Sequence, residues 1–145
     1  MRALLGFGMV GVIAVVGFLF RDHLTGNVGD LRVGDCFEVP LELTEVSDIQ
    51  HRPCPDPHTG EVFLVVDHPA AKDAPYPSED DLTNDVFGMC DPAFIAYVDE
   101  SRLTDELDYG FFFPLASGWK DGDREITCYA TRVDSAPMTG SLKTP

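Results

Sequence analysis

An uncharged apolar segment at the N-terminus constrains this chain more than any other feature. Residues 3–20 are 18 consecutive positions without a charged or polar side chain. A helix of that length spans about 27 Å, close to the roughly 30 Å hydrocarbon core of a bilayer. We therefore predict that residues 1–23 form a transmembrane anchor and that the protein resides in the cell membrane as a single-pass protein.

Two other interpretations of this segment remain open. A cleaved signal peptide has an apolar run of about 7–15 residues and a small-residue cleavage site, whereas residues 17–23 contain no A-x-A pattern. A buried soluble helix would need a larger domain around it. Arg2 precedes the span, and Arg21 after it is partly offset by Asp22. The positive-inside tendency therefore favours a cytoplasmic N-terminus and an extracytoplasmic C-terminal domain.

The rest of the chain is strongly acidic. Residues 21–145 contain nine basic residues and all 25 acidic residues, a formal charge of −16. Such a surface repels phosphate groups, so we expect no nucleic-acid partner and no docking on anionic lipid. The hydrophobic content of 44% argues against disorder, and 145 residues are enough for one domain.

Four cysteines follow the apolar segment: Cys36, Cys54, Cys90 and Cys128. An even number of cysteines in an exported domain forms disulfides by default, and four cysteines allow three pairings. We favour Cys36–Cys54, which closes a short loop, and Cys90–Cys128, which closes a longer one. Zinc is the alternative, because Cys54 and His58 are four positions apart. Structural zinc sites usually contain two close ligand pairs, however, so we expect neither a metal nor another cofactor.

Glycines and charges divide the chain into three parts. Residues 24–33 contain Gly26 and Gly29 and are expected to be a flexible tether between the anchor and the domain. The domain itself is expected over residues 34–145. Its polar tail, from Asp134 onwards, is predicted to be loose at its end.

Hydrophobic periodicity predicts an α+β fold for this domain. Apolar positions recur at three- and four-residue spacing near residues 79–99, which predicts a helix with a break at Pro92. The fold class is a small, mostly antiparallel sheet with one packed helix and two disulfides, preceded by the N-terminal transmembrane helix. Strands are predicted at residues 35–39, 49–54, 61–67, 107–113 and 124–133.

His58 and Glu61 form a candidate polar site, with Asp35 close by if Cys36 and Cys54 are joined. A histidine beside a carboxylate can act as a general base. A hydrolase also needs a positioned nucleophile or a metal and a means of stabilising an oxyanion, and no motif here supplies them. We therefore expect a structural role, in which His58 donates to a backbone carbonyl or to Glu61, and we predict no enzymatic activity.

A candidate binding surface contains Trp119, Arg124, Phe111 and Phe113. An aromatic side chain on a loop can stack on a sugar or on a protein partner, and an apolar outer strand face would be a partner site. For Trp119 and Arg124 we favour the structural interpretation, in which Trp119 caps the sheet edge and Arg124 pairs with an acid.

Several short motifs in this order resemble the septum-formation domain family of actinobacterial membrane proteins. The resemblance covers roughly 110 residues. It implies an extracytoplasmic domain, anchored by one or a few spans in an actinobacterial envelope, with a link to septation and no assigned catalytic residue. The motifs are Gly34-Asp35-Cys36-Phe37, Cys54-x3-His58-x2-Glu61-Val62-Phe63, Pro114-x4-Trp119-x2-Gly122-Asp123-Arg124-x3-Cys128 and Thr139-Gly140-Ser141-Leu142.

Together these features predict a membrane-anchored interaction or assembly module of the cell envelope, or an accessory subunit of a membrane complex. Its expected partners are other membrane or envelope proteins, and the sequence leaves a small-molecule ligand undecided. One alternative is a module that binds cell-wall glycan, which the negative charge disfavours because wall polymers are often anionic. The other is an envelope enzyme built on His58, Glu61 and Asp35.

Overall fold

The computed structural model of the protein describes residues 25–41 and 48–145, which form one sheet with a long helix packed on one face. The predicted anchor at residues 3–20 lies outside the described residues. Within the described ranges, no helix is long and apolar enough to cross a membrane.

Six strands form the sheet, and every neighbouring pair is antiparallel. Their spatial order is β1-β3-β2-β4-β6-β5, so β2 and β4 are the central strands while β1 and β5 are the edges. The predicted antiparallel sheet is therefore confirmed. The strands are β1 (Thr25–Asn27), β2 (Cys36–Glu38), β3 (Asp48–Arg52), β4 (Gly60–Asp67), β5 (Leu107–Phe112) and β6 (Glu125–Arg132).

Two α-helices are present in the described ranges: α1 (Glu79–Tyr97) and the short α2 (Ala116–Lys120). The start of α1 is capped by Ser78, whose Oγ accepts a hydrogen bond from the Asp81 backbone N–H at 3.2 Å. Three acidic residues in the first turn complement the positive end of the helix dipole. The side of α1 that packs on the sheet contains Leu82, Val86, Cys90, Phe94 and Tyr97.

The break predicted at Pro92 is absent, and α1 runs through this residue without interruption. A proline in a helix removes the hydrogen bond to the carbonyl four residues earlier and crowds that carbonyl. Here that residue is Gly88, and both Gly88 and Pro92 are exposed. Water can hydrate the freed carbonyl on this outer side of the helix, so the helix persists.

An irregularity at Phe63 changes which side chains of β4 face α1. Val62 pairs with Tyr129 and Leu64 with Cys128, so one extra residue of β4, Phe63, lies between two consecutive pairs. Both Phe63 and Leu64 therefore pack in the core beneath α1, as does Cys128. The bulge lets β4 present Glu61 and two consecutive apolar side chains to the helix.

The opposite face of the sheet carries a second, smaller core built around Phe37, Ile49 and Val62. Buried Leu31 covers this core. Leu31 and strand β1 belong to the predicted tether at residues 24–33. That segment is therefore no free linker from Thr25 onwards, since β1 is hydrogen-bonded to β3 along the sheet edge.

Both favoured disulfides are present, and no described cysteine is free. Cys36–Cys54 has a Cα–Cα distance of 5.2 Å and joins β2 to the loop that precedes β4. Cys90–Cys128 has a Cα–Cα distance of 6.0 Å and joins α1 to β6. In the chain-entropy model, the two crosslinks stabilise the fold by about 3 and 4 kcal/mol.

Candidate functional site

A fully buried carboxyl group, that of Glu61, faces α1 at the start of β4. Its Oε1 accepts hydrogen bonds from the Tyr97 hydroxyl at 2.8 Å and the Ser141 hydroxyl at 2.6 Å. Its Oε2 accepts one from the Leu142 backbone N–H at 2.8 Å. No ion pair to Glu61 is formed by the Lys and Arg residues of the described ranges. Neutral donors therefore satisfy this group there.

His58 lies beside this carboxyl group and is also fully buried. Its Nδ1 is 2.8 Å from the Asp56 carbonyl oxygen, and because a carbonyl only accepts, Nδ1 carries the proton. This agrees with the expectation that His58 donates to a backbone carbonyl. Its Nε2 has no hydrogen-bond partner among the described residues. A ring nitrogen of His58, an oxygen of Glu61 and Sγ of Cys36 lie within 4.8 Å of one another.

The C-terminal segment covers this cluster. The prediction that the tail is loose at its end is therefore wrong. Met138 and His58 exchange two backbone hydrogen bonds, at 3.0 and 2.7 Å. Gly140 N–H donates to the Cys54 carbonyl at 2.7 Å. Together with the donors from Ser141 and Leu142, these bonds join the motif that contains Cys54, His58 and Glu61 to the motif at residues 139–142. We call His58, Glu61, Tyr97 and Ser141 the Glu61 cluster.

The third residue of the predicted polar site, Asp35, lies near the same cluster. Its Oδ2 accepts a hydrogen bond from the Arg32 backbone N–H at 2.9 Å. Burial, the hydrogen bond to Glu61 and the Glu61 charge raise the pKa of the Tyr97 hydroxyl, and the Asp35 charge raises it further. The structure thus brings His58 and Glu61 together, and Asp35 lies close enough for its charge to act on Tyr97. Tyr97 is an additional member that the sequence did not single out.

A second buried polar group lies at the opposite end of the β4–β6 pair. The Arg124 guanidinium stacks on the Trp119 ring, with Cζ 3.7 Å from the ring centroid. Its Nη1 donates to the carbonyls of Trp119 and Asp123, at 2.8 and 2.7 Å. Its Nη2 donates to the carbonyls of Ala71 and Lys72, both at 2.9 Å. Arg124 therefore connects α2 and the loop after β4 to the sheet.

Trp119 is 2% exposed and Arg124 is 6% exposed, so the structure places neither of them on a surface. The indole N–H of Trp119 donates to the Ala74 carbonyl at 2.9 Å. Trp119 lies on α2, which the sequence indicated only as a loop. The sequence expected Arg124 to face a partner or an acid, but its four hydrogen bonds go to backbone carbonyls. These two residues therefore make structural contacts, although the partners of Arg124 are carbonyls and not the expected acid.

His68 completes this second group, and sequence reasoning did not single it out. Its ring packs edge-on against Trp119, with centroids 5.1 Å apart. The Ala70 backbone N–H donates to Nδ1 at 3.1 Å, so Nε2 carries a proton and donates to the Asp85 carboxylate at 3.1 Å. We call Arg124, Trp119 and His68 the Arg124 cluster.

The other two residues of the predicted surface, Phe111 and Phe113, are half-buried at the edge strand β5. Their ring centroids are 5.9 Å apart. Phe87 of α1 packs against Phe111 at 5.6 Å and against Tyr109 at 6.2 Å, and Phe87 is 42% exposed. These four side chains form a continuous aromatic strip, which we call the aromatic edge. The sequence predicted Phe111 and Phe113 as surface residues but did not indicate Phe87.

Acidic side chains surround the aromatic edge. The Tyr109 hydroxyl donates a short hydrogen bond to the Asp91 carboxylate, and Asp91 is exposed. Asp108 is exposed on β5 itself, and Asp105 and Glu106 are exposed just before it. In the described part of the chain, β5 pairs only with β6, so its outer edge has no strand partner there.

The fold and these sites define the class of the protein: an acidic α+β domain whose two buried polar clusters lie in the interior and whose aromatic strip lies at a sheet edge. The chain belongs to the septum formation family, whose model matches residues 31–143. This membership associates the protein with septation. Comparisons with curated proteins and with solved structures find no match.

Proposed function

We propose that this protein is a non-enzymatic interaction module that acts in septum formation by binding an extended segment of a partner protein along β5. The observation that carries the proposal is the combination of an open strand edge and the aromatic edge beside it. An unpaired edge offers a row of backbone donors and acceptors to another strand, and the adjacent side chains then give specificity.

The charge of the molecule indicates the kind of segment that would bind. The full chain has a formal net charge of −15. Near β5 the exposed acids are Asp91, Asp105 and Asp108, while nearby Arg132 is already paired with Glu106 and Asp134. An extended segment that carries Lys or Arg beside apolar residues would match both the strip and its acidic surroundings.

The interior of the domain supports binding in preference to catalysis. Glu61 and His58 are fully buried, and the C-terminal segment covers them. A substrate would have to displace this segment to reach the Glu61 cluster. The burial of Trp119 removes the aromatic residue that the glycan-binding alternative needs on the surface.

The proposed setting is the outer face of an actinobacterial cell membrane. The apolar segment at residues 3–20 supplies an anchor of the right length, and the two disulfides suit an oxidising compartment. The partner would be another membrane or envelope protein, and the chain would be its accessory subunit.

The experiment is a copurification from native membranes in mild detergent, with matched variants at two exposed apolar positions of α1. Phe87→Asp places a charge in the aromatic edge, whereas Ile95→Asp places one at a position that lies beside Asp99 and Thr144. We expect a stoichiometric partner with the wild type and with Ile95→Asp, and its loss with Phe87→Asp. Equal recovery from both variants, each shown to be folded by circular dichroism, would reject β5 as the binding surface.

A further inference from the structure

We propose that Cys36, Cys54, His58 and Glu61 form a zinc site when the Cys36–Cys54 disulfide is reduced. The link between β2 and the loop that precedes β4 is then either a disulfide or a metal ion, and the metal ion also binds β4. The inference is independent of the β5 surface. It starts from three potential ligand atoms that the fold already brings together: Cys36 Sγ, a His58 ring nitrogen and a Glu61 oxygen lie within 4.8 Å of one another.

The orientation of His58 is that of a metal ligand. Imidazoles that bind metals usually donate their other ring N–H to a backbone carbonyl or a carboxylate, which fixes the tautomer. Nδ1 of His58 makes such a bond with the Asp56 carbonyl at 2.8 Å. In the neutral ring, Nε2 then carries a lone pair, and this buried atom has no partner among the described residues. Buried polar atoms without a partner are rare and call for an explanation.

Glu61 retains capacity for one more interaction. A carboxylate offers about four acceptor positions. Three of them are used by donors from Tyr97, Ser141 and Leu142, with two bonds to Oε1 and one to Oε2. A cation at Oε2 would therefore add to this network and displace none of its members.

Two thiolates complete a tetrahedral set of the type that zinc prefers. Cys54 and His58 are four positions apart, within the spacing of zinc ligand pairs, and β2 and β4 supply Cys36 and Glu61. From zinc–ligand bond lengths, neighbouring ligand atoms in such a site are roughly 3.4–3.8 Å apart. The three atoms that lie within 4.8 Å of one another need to approach by only about 1 Å. Sequence spacing alone did not show this, because Cys36 and Glu61 reach the site through the sheet.

The reduction balances with a dithiol as the reductant. The dithiol transfers two electrons and two protons to the disulfide, which becomes two cysteine thiols, while the dithiol closes to its own disulfide. Zinc binding then releases the two thiol protons to solvent. Cys54 is half-buried, whereas Cys90 and Cys128 are fully buried. Mild reduction should therefore open Cys36–Cys54 before Cys90–Cys128.

The test uses the full chain, reduced anaerobically, freed of reductant and titrated with Zn²⁺ against a colorimetric chelator. Peptide mapping of alkylated cysteines establishes which disulfide is open. We expect one equivalent of Zn²⁺ to bind the reduced chain at least about tenfold more tightly than the oxidised chain. With Co²⁺ as the probe, the reduced chain should show a thiolate-to-metal absorption band. If reduction unfolds the chain, Zn²⁺ must restore its far-ultraviolet circular dichroism spectrum.

His58→Gln is the diagnostic variant, and His68→Gln is its matched control, since both histidines are buried but His68 contacts Asp85 and Trp119. We expect His58→Gln to weaken Zn²⁺ binding by at least about tenfold and His68→Gln to leave it unchanged. Equal affinity of the reduced and oxidised chains, or full affinity in a folded His58→Gln variant, would overturn the proposal. So would a failure of Zn²⁺ to refold a chain that reduction had unfolded.

Discussion

The Glu61 and Arg124 clusters lie at opposite ends of the β4–β6 pair and perform the same task with opposite chemistry. Glu61 accepts three hydrogen bonds, two from the C-terminal segment and one from Tyr97 of α1. Arg124 donates four, two to the loop after β4, one to α2 and one to the turn after α2. In both places a buried polar side chain supplies the bonds that an irregular backbone segment cannot make within the sheet.

The difference between them lies in what each cluster leaves unused. Arg124 has an aromatic ring on one face and carbonyls at both terminal nitrogens, and a guanidinium has no lone pair for a metal. The Glu61 cluster keeps an acceptor position on Glu61 and a nitrogen on His58, next to a disulfide. Arg124 Nε is also buried without a hydrogen-bond partner among the described residues, but it is a donor. What separates the two clusters is therefore a free acceptor atom, which can bind a metal, and a free donor, which cannot.

Replacing Arg124 should have the largest effect on stability. Arg124→Met keeps much of the side-chain volume but removes the guanidinium donors to the carbonyls of Ala71, Lys72, Trp119 and Asp123. We expect the free energy of unfolding to fall by about 3–4 kcal/mol, since four hydrogen bonds from a charged donor and its stacking on Trp119 are lost together. Urea denaturation measures the change, and a loss below about 1 kcal/mol would contradict the role given to Arg124.

Glu61→Gln should lower the free energy of unfolding by less, about 2 kcal/mol. The amide oxygen can replace only one of the two carboxylate oxygens, and the amide nitrogen at the other position cannot accept. Depending on the orientation of the amide, Glu61→Gln loses either the bond from the Leu142 N–H or the bonds from the two hydroxyls. Glu106→Gln is the control, because Glu106 is exposed and pairs with Arg132 at the surface. Its expected effect is within about 0.5 kcal/mol. Equal losses from the two substitutions in urea denaturation would show that the Glu61 carboxyl group contributes nothing specific.

Tyr97→Phe should cost about 1 kcal/mol at neutral pH, because Ser141 still donates to Glu61 Oε1. The pH dependence of the unfolding free energy is more informative than this loss at neutral pH. Burial and Glu61 raise the pKa of Tyr97 above its ordinary value near 10.0, so the unfolded chain loses this proton first. Stability is therefore fully present below about pH 10 and falls as the pH rises above it.

The alkaline decline should be shallower in Tyr97→Phe than in the wild type, although it should not vanish. Burial also raises the pKa of Tyr129, to about 12, and Tyr129 is unchanged in the variant. Unfolding free energies measured by urea at pH 8 and pH 11 give the two slopes. Identical slopes would mean that Tyr97 is not held neutral by its surroundings.

Ser141→Ala should have the smallest effect, about 0.5–1 kcal/mol, because the Ser141 residue is exposed and only its hydroxyl reaches Glu61. The effect should appear mainly as faster proteolysis of the C-terminal segment, since this bond holds that segment to β4. Global unfolding in urea should shift little. A large global change with no change in tail proteolysis would contradict the local role.

Patterns along the chain predicted the sheet, α1 and both disulfides, because hydrophobic periodicity and cysteine count are local signals. They did not predict β1, which the glycines of its segment concealed, or the continuity of α1 through Pro92, which depends on that residue facing outward. Trp119 was misplaced for a related reason, since a five-residue helix buries it and no periodic pattern is visible over so few positions.

In the candidate sites too, local patterns predicted some residues, whereas others join only through tertiary packing. His58 and Glu61 were found from a motif in which they are three positions apart, but Tyr97 and Ser141, the partners of Glu61, come from distant parts of the chain. The 36- and 80-residue separations of these contacts from Glu61 have no signature in one sequence. Only the strand side of the aromatic edge was predicted. Phe111 and Phe113 alternate at the end of β5, whereas Phe87 joins them through the packing of α1.

The central claim is that the acidic β5 edge and its aromatic strip bind a partner. Photocrosslinking in living cells tests it most directly, with benzoylphenylalanine replacing Phe87 in one strain and Ile95 in another. The account predicts one crosslinked partner from position 87, through a segment that peptide mapping shows to be basic, and none from position 95. Crosslinking from position 95 alone, or from neither position, would contradict it.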